Sequence, residues 1–186
     1  MVSQFVGHDI GNMLGKIKFD FPEGTHAVGR LDNMSEGLLI LTTDIRVTKL
    51  LFQSKTPHCR TYLVQANGAF DAQKLEDLRN GVRILLRGNT WWTTSPCQVE
   101  AIEAPDDCYK IENTLHPRHP FQWLKISLTE GKYHQIRKML IAVNSKVKRL
   151  VRISIEDLTL GDLPQGGVRE YEKKEFFELL KVFLND

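Results

Sequence analysis

The chain has 186 residues, with 25 Lys+Arg against 23 Asp+Glu for a net charge of +2, and is 41% hydrophobic and 26% charged. That length suits one domain, or one domain of two parts, with a sizeable core, and the composition excludes disordered, collagen-like and coiled-coil classes. No apolar run nears the roughly 18 residues of a membrane span, the opening MVSQFVGHDIGNMLGK does not read as a secretory leader, and Cys59, Cys97 and Cys108 form no CxxC pair, so a cytoplasmic protein with reduced thiols and no membrane contact is expected.

In chain order, residues 25–28 read as a short strand and GLLILT over 37–42 as a buried one, joined by a tight polar connection. Thr43 or Asp44 caps a short helix whose apolar face is Val47, Leu50 and Leu51. Residues 59–66 alternate as a strand, with Tyr62, Val64 and Ala66 on one face. Asp71 caps a helix carrying Leu75 and Leu78, closed by Asn80 and Gly81. Strands follow over 82–86, 98–103 and 121–128, the last two separated by a proline-containing loop over 104–120. After the Glu130-Gly131 turn comes a helix with Ile136, Met139, Leu140 and Val143 as its apolar stripe and His134, Arg137 and Lys138 as a cationic one. A strand over 147–153 alternates Lys148, Leu150 and Arg152 with Val147, Arg149 and Val151, and an amphipathic helix with Phe176, Phe177, Leu180 and Phe183 closes the chain. Strands and helices mix without a regular βαβ alternation, which predicts an α+β fold around a mixed, mostly antiparallel sheet with flanking helices.

Charge is unevenly spread. Residues 131–153 contain no acid but carry Lys132, Arg137, Lys138, Lys146, Lys148, Arg149 and Arg152, and the segment from Glu170 onward is rich in glutamate. Such a basic block in a near-neutral chain is the footprint of a phosphate backbone, or else a solvated cationic face. The sequence lacks GxGxxG, GxxxxGK[ST], HExxH and GxSxG, which removes the common nucleotide, zinc-protease and serine-hydrolase readings. His116, His119 and Cys108 are separated by prolines and an arginine and make a poor metal cage, so no metal is expected. Asp32 lies in a turn between two strands, where it is either a turn residue or a carboxylate projecting into a cleft. Gly131 leads into a helix N-terminus that would favour a phosphate, with Lys132 and His134 at that end.

GRLDNMSEGLLILTTD, RTYLV, WLKISLTEGKYHQIRKML and DLPQGGVRE, in that order, resemble the motifs of the bacterial ribosomal pseudouridine synthases of the RsuA type. The resemblance runs over nearly the whole chain and implies the pseudouridine synthase fold with a central basic cleft, in a single catalytic domain over 1–186 without an S4 RNA-binding domain. It also implies an N-terminal strand with an Asn-Lys-Pro motif ahead of Val2, which this sequence does not show. By this resemblance Asp32 is the catalytic aspartate, Tyr62 stacks on the target base and Arg137 pairs with the aspartate. Such an enzyme breaks the C1′–N1 bond of a uridine in RNA, turns the base and rejoins it through C5. One ionised carboxylate, kept charged and in position by a guanidinium, serves this chemistry because uracil delocalises the leaving charge itself. Leu150 resembles the apolar residue closing the pocket, and Arg30, Lys132, His134, Gln135, Lys138, Lys148, Arg149 and Arg152 are expected along the RNA. The implied partner is ribosomal RNA of the large subunit, met by a monomer with no cofactor. A noncatalytic RNA-binding or ribosome-assembly protein on the same fold, and a glycosidase releasing free uracil, are the competing readings.

Overall fold

The structure, a computed structural model, describes residues 14–54, 56–105 and 120–182. In chain order its elements are β1 (His26–Val28), β2 (Glu36–Gly37), β3 (Ile40–Thr42), α1 (Arg46–Phe52), β4 (Arg60–Asn67), α2 (Ala72–Asn80), β5 (Arg83–Leu85) and β6 (Trp91–Thr93). They continue with β7 (Gln98–Ile102), β8 (Phe121–Leu128), α3 (Gln135–Ala142), β9 (Val147–Ile155), β10 (Leu158–Thr159) and α4 (Lys173–Leu179). The pairs β1–β3, β4–β8, β5–β6, β7–β8 and β9–β10 are all antiparallel, as the α+β expectation requires. Two compact units emerge, one built from residues up to His58 together with Arg152 onward, the other from Cys59 to Val151.

In the first unit β1 and β3 pair with Val28 opposite Ile40, and both side chains are buried. The expected continuous strand over 37–42 is broken into β2 and β3. Gly37 takes φ +100°, and a Cβ placed there would lie 2.2 Å from the Arg152 carbonyl oxygen, so the backbone turns where only glycine fits. Leu38 N–H then donates to that same carbonyl at 2.8 Å. The segment of β9 over 152–155 continues into an unforeseen hairpin with β10, pairing Ile155 with Leu158. Its turn places Glu156 at φ +49°. Glu156 faces the buried His58, with Nδ1 to Oε1 at 3.3 Å, and its other oxygen meets Lys181 at 3.3 Å. Asp44 bonds the Arg46 N–H at 3.0 Å and its guanidinium at 2.7 Å at the start of α1, which buries Val47 and Leu51. In α4, Phe176 and Phe177 are half-buried and Leu180 is fully buried just past the helix; Phe183 lies outside the described residues.

In the second unit the strand order is β9-β4-β8-β7, and β9 enters it through residues 147–151. β4 is central, pairing along its whole length with β8, and its middle is buried on both faces. The core gathers Val64, Leu124 and Ile126 from the strands with Ile136, Met139 and Leu140 from α3 and Leu78 from α2. The Asp71 carboxylate accepts the Lys74 N–H at 2.8 Å, the N-terminal cap expected for α2. Gly81 ends that helix at φ +101°. α3 packs against β5 and α2 against β7. The β5–β6 hairpin was not foreseen. Its connection places both Gly88 and Asn89 at positive φ, and Leu86 N–H donates to Thr90, a turn geometry that matches strand twist.

Candidate active site and nucleic-acid interface

In the first unit the segment between β1 and β2 carries Asp32. Its ends are set by two glycines at positive φ, Gly29 at +72°, against whose Cα the Phe52 ring packs, and Gly37. Inside the segment Ser35 N–H donates to the Asp32 carbonyl at 2.8 Å, closing a tight turn at the aspartate itself. Asp32 is half-buried, and Arg30 and Met34 are exposed. Arg152 is only 3% exposed and donates from Nε to the Leu38 carbonyl at 2.8 Å, while its own carbonyl takes the Leu38 N–H. It was expected on the RNA path; the structure instead makes it the clamp on the strand that leaves the Asp32 turn.

In the second unit Tyr62 sits on β4 opposite Ile126 of β8, half-buried and packed on the core. Arg137 is half-buried in the first turn of α3, off the stripe of Ile136, Met139 and Leu140. Ahead of the helix, residues 130–134 are locked by Gln135. Its Oε1 accepts the Lys132 N–H at 2.7 Å and its Nε2 donates to Glu130 Oε1 at 2.7 Å. Gln135 is 4% exposed, with both amide heteroatoms engaged. It was expected on RNA and is instead the brace of this turn. His134, at φ +54°, precedes the helix in a left-handed conformation, and Gln135 N–H donates to the Lys132 carbonyl. The amides of Lys132 and Gln135 are therefore used internally, so they do not open the phosphate site expected at this helix end.

Lys132, His134 and Lys138 are half-buried, Lys148 is exposed, and Arg149 is half-buried with one guanidinium nitrogen in the interior. Leu150 lies in the second unit's core at 5% exposure. Glu130, which the sequence did not single out, organises the surroundings by also accepting Ser95 N–H at 2.9 Å and Trp92 Nε1–H at 3.3 Å. Burial, with Glu130 nearby, pushes the Cys97 thiol up to about 11, and its Sγ–H donates to the Leu78 carbonyl. Among the described residues no group of three or more His, Cys, Asp or Glu side chains could hold a metal, and no helix is long and apolar enough to cross a membrane. His116, His119 and Cys108 lie outside the described residues.

Residues 12–142 match the family of RNA pseudouridylate synthases, a span that takes in Asp32, Tyr62 and Arg137. The chain is similar to the ribosomal large subunit pseudouridine synthase E of Vibrio parahaemolyticus, 40% identical over 148 residues, covering 79% of this chain and 60% of that protein. It is also similar to the protein of the same name from Xanthomonas axonopodis pv. citri, at 35% identity, covering 78% of this chain and 75% of that one. A solved pseudouridylate synthase shares its fold with a TM-score of 0.69 at 28% identity, over 90% of this chain and 65% of that one. With the family match spanning most of its length and carrying the loop that holds the aspartate, the chain belongs to the RNA pseudouridylate synthases.

Proposed function

We propose that the chain isomerises a uridine of ribosomal RNA, in the large subunit, to pseudouridine, acting as a cytoplasmic monomer without metal or cofactor. The observation that carries this reading is the family match over residues 12–142, a span that contains GRLD and KYHQIRK. In the reaction the C1′–N1 bond breaks, the uracil turns, C5 bonds to C1′, the proton on C5 is lost to solvent, and N1 takes up a proton in its place. Asp32 supplies the carboxylate that acts on the sugar, and Arg137 supplies a guanidinium charge to the reaction. Tyr62 offers its ring to the extruded base, a stacking contribution of about 1–3 kcal/mol. Arg30, Lys132, His134, Lys138, Lys148 and Arg149 hold RNA phosphates, and Gln135 and Arg152 act one step back by shaping the turns beside them.

The test is tritium release from ribosomal RNA carrying 5-tritiated uridine, with carbodiimide primer extension to locate the product. Release at a single site from the wild-type chain, abolished in Asp32→Asn with RNA binding retained, is the expected result. Undiminished release from Asp32→Asn refutes the assignment of the aspartate, and RNA binding without release from the wild-type chain refutes the isomerase reading.

A further inference from the structure

Among the described residues of the second unit four aromatic rings that the reaction above does not use are exposed, Phe121 on its own at 41% and three close together: Trp91 at 54%, Trp92 at 37% and Tyr133 at 48%. The remaining tryptophan, Trp123, is buried at 6%. Large rings left in water need an explanation. Trp91 and Trp92 each carry a cation on one face, the Arg83 guanidinium 4.6 Å from the Trp91 centroid and Lys132 Nζ 4.1 Å from Trp92, whereas Tyr133 lies between the Arg87 guanidinium at 3.8 Å and the stacked His134 ring at 3.9 Å and continues the row without a free face. Neighbours on a strand face opposite ways, so Trp91 shares the outer face of the hairpin with its partner Leu85 and with Arg83, whereas Trp92 lies on the face of Ile84, beside Lys132. The rings thus wrap the edge of the β5–β6 hairpin and continue into the turn before α3. The neighbouring Glu130 carboxylate accepts from Ser95, Gln135 and the Trp92 indole, which fixes the edge of that ring.

We propose that this hairpin edge is a stacking platform for unpaired RNA bases, with Arg83, Arg87 and Lys132 meeting the phosphates between them. The proposal rests on the reading that the chain handles RNA, and it adds a surface outside the aspartate's loop. Rings interleaved with cations fit single-stranded nucleic acid, since every base offers a π face and every nucleotide a negative charge. A duplex, by contrast, keeps its base faces stacked inside. The surface therefore selects a strand that is already open.

The experiment titrates the whole chain with an oligouridine of about 12 nucleotides and with a blunt RNA duplex of the same length, reading tryptophan fluorescence and affinity. Because Trp123 is buried, quenching reports Trp91 and Trp92. The expected result is quenching by the single strand and not by the duplex, about tenfold weaker single-strand binding in Trp91→Ala, and recovery in Trp91→Phe. Equal binding of the duplex, unchanged affinity in Trp91→Ala, or self-association of the chain that Trp91→Ala abolishes would each overturn the proposal. Tritium release measured on the same preparations separates the two readings. Release that stays intact while Trp91→Ala binds the single strand normally defeats the platform alone, and Trp91-dependent binding without any release defeats the isomerase reading and leaves the platform standing.

Discussion

Replacing Gly37 by alanine tests whether the Asp32 loop is held by the contact between Gly37 and Arg152. Three terms add. A non-glycine residue at φ +100° is strained by about 1–2 kcal/mol. The new Cβ would sit 2.2 Å from the Arg152 carbonyl oxygen, well inside van der Waals contact, so β2 and β9 must part by about 1 Å at this point. That movement weakens the Leu38 N–H bond to Arg152 and the Arg152 Nε bond to Leu38, each 2.8 Å long and worth about 1 and 2 kcal/mol respectively. The total is about 4–5 kcal/mol. Gly24 and Gly166, at φ +80° and +76° with nothing within 4 Å, are the controls, because alanine there meets the backbone strain alone, about 1–2 kcal/mol. Fluorescence would watch the wrong unit, since all three tryptophans lie between Cys59 and Val151. Amide hydrogen exchange over residues 36–42, resolved by mass spectrometry, watches the right one. Protection there should fall by at least a hundredfold more in Gly37→Ala than in either control, with tritium release lost in parallel. If Gly37→Ala exchanges like Gly24→Ala, the contact does not hold the loop and the argument fails.

Three further outcomes are expected. Lys148→Ala and Lys132→Ala should each lower the salt dependence of RNA binding by about one unit of slope, whereas Arg152→Gln should destabilise the first unit and leave the slope unchanged; a changed slope in Arg152→Gln would return that residue to the RNA path. Arg46 holds the Asp44 carboxyl down to about 2 from 3.8, so its contribution is present above about pH 4 and is lost as pH falls through about 2; Asp44→Asn should flatten the acid sensitivity of α1 in that window, read by amide exchange of residues 46–52. Cys97, raised from 9.0 to about 11, should react with iodoacetamide at pH 8 about a hundredfold more slowly than an ordinary thiol in a Cys59→Ser, Cys108→Ser background. Its sign is the opposite of Asp44's, because the folded chain favours the protonated thiol, and stability is lost as pH climbs from about 9 through 11.

Elements whose burial repeats with the helical or strand period were legible in the sequence. The Ile136, Met139 and Leu140 stripe of α3 packs into the core as read, Asp71 caps α2, and β8 has the expected bounds. What escaped depends on partners distant in sequence or on turns with weak signatures. No local pattern tells that Gly37 lies against Arg152, so one strand was read where the chain forms two. The β9–β10 turn passes through Glu156 at positive φ, and a glutamate there advertises nothing. The Gly88-Asn89 pair did carry a hairpin signal between RIL and WWT, and attention to it would have exposed the tryptophan face. At the site, residue type separated cations from apolar residues but not solvated cations from buried ones. Arg152 and Lys148 look alike on the same strand, yet Arg152 lies in the interior and Lys148 in water. Gln135 was misread for the same reason, since its role is fixed by Glu130 and Lys132.

The clamp on the Asp32 loop also has a schedule. Leu38 and Arg152 are 114 residues apart, and at a synthesis rate of roughly 5–20 residues per second the arginine leaves the ribosome about 6–20 s after the leucine. Through that interval the nascent chain carries its aspartate on a segment whose anchor has not been made, while all of the residues from Cys59 to Val151 emerge. The turn that carries Asp32 is completed only after translation has passed through the whole of the second unit.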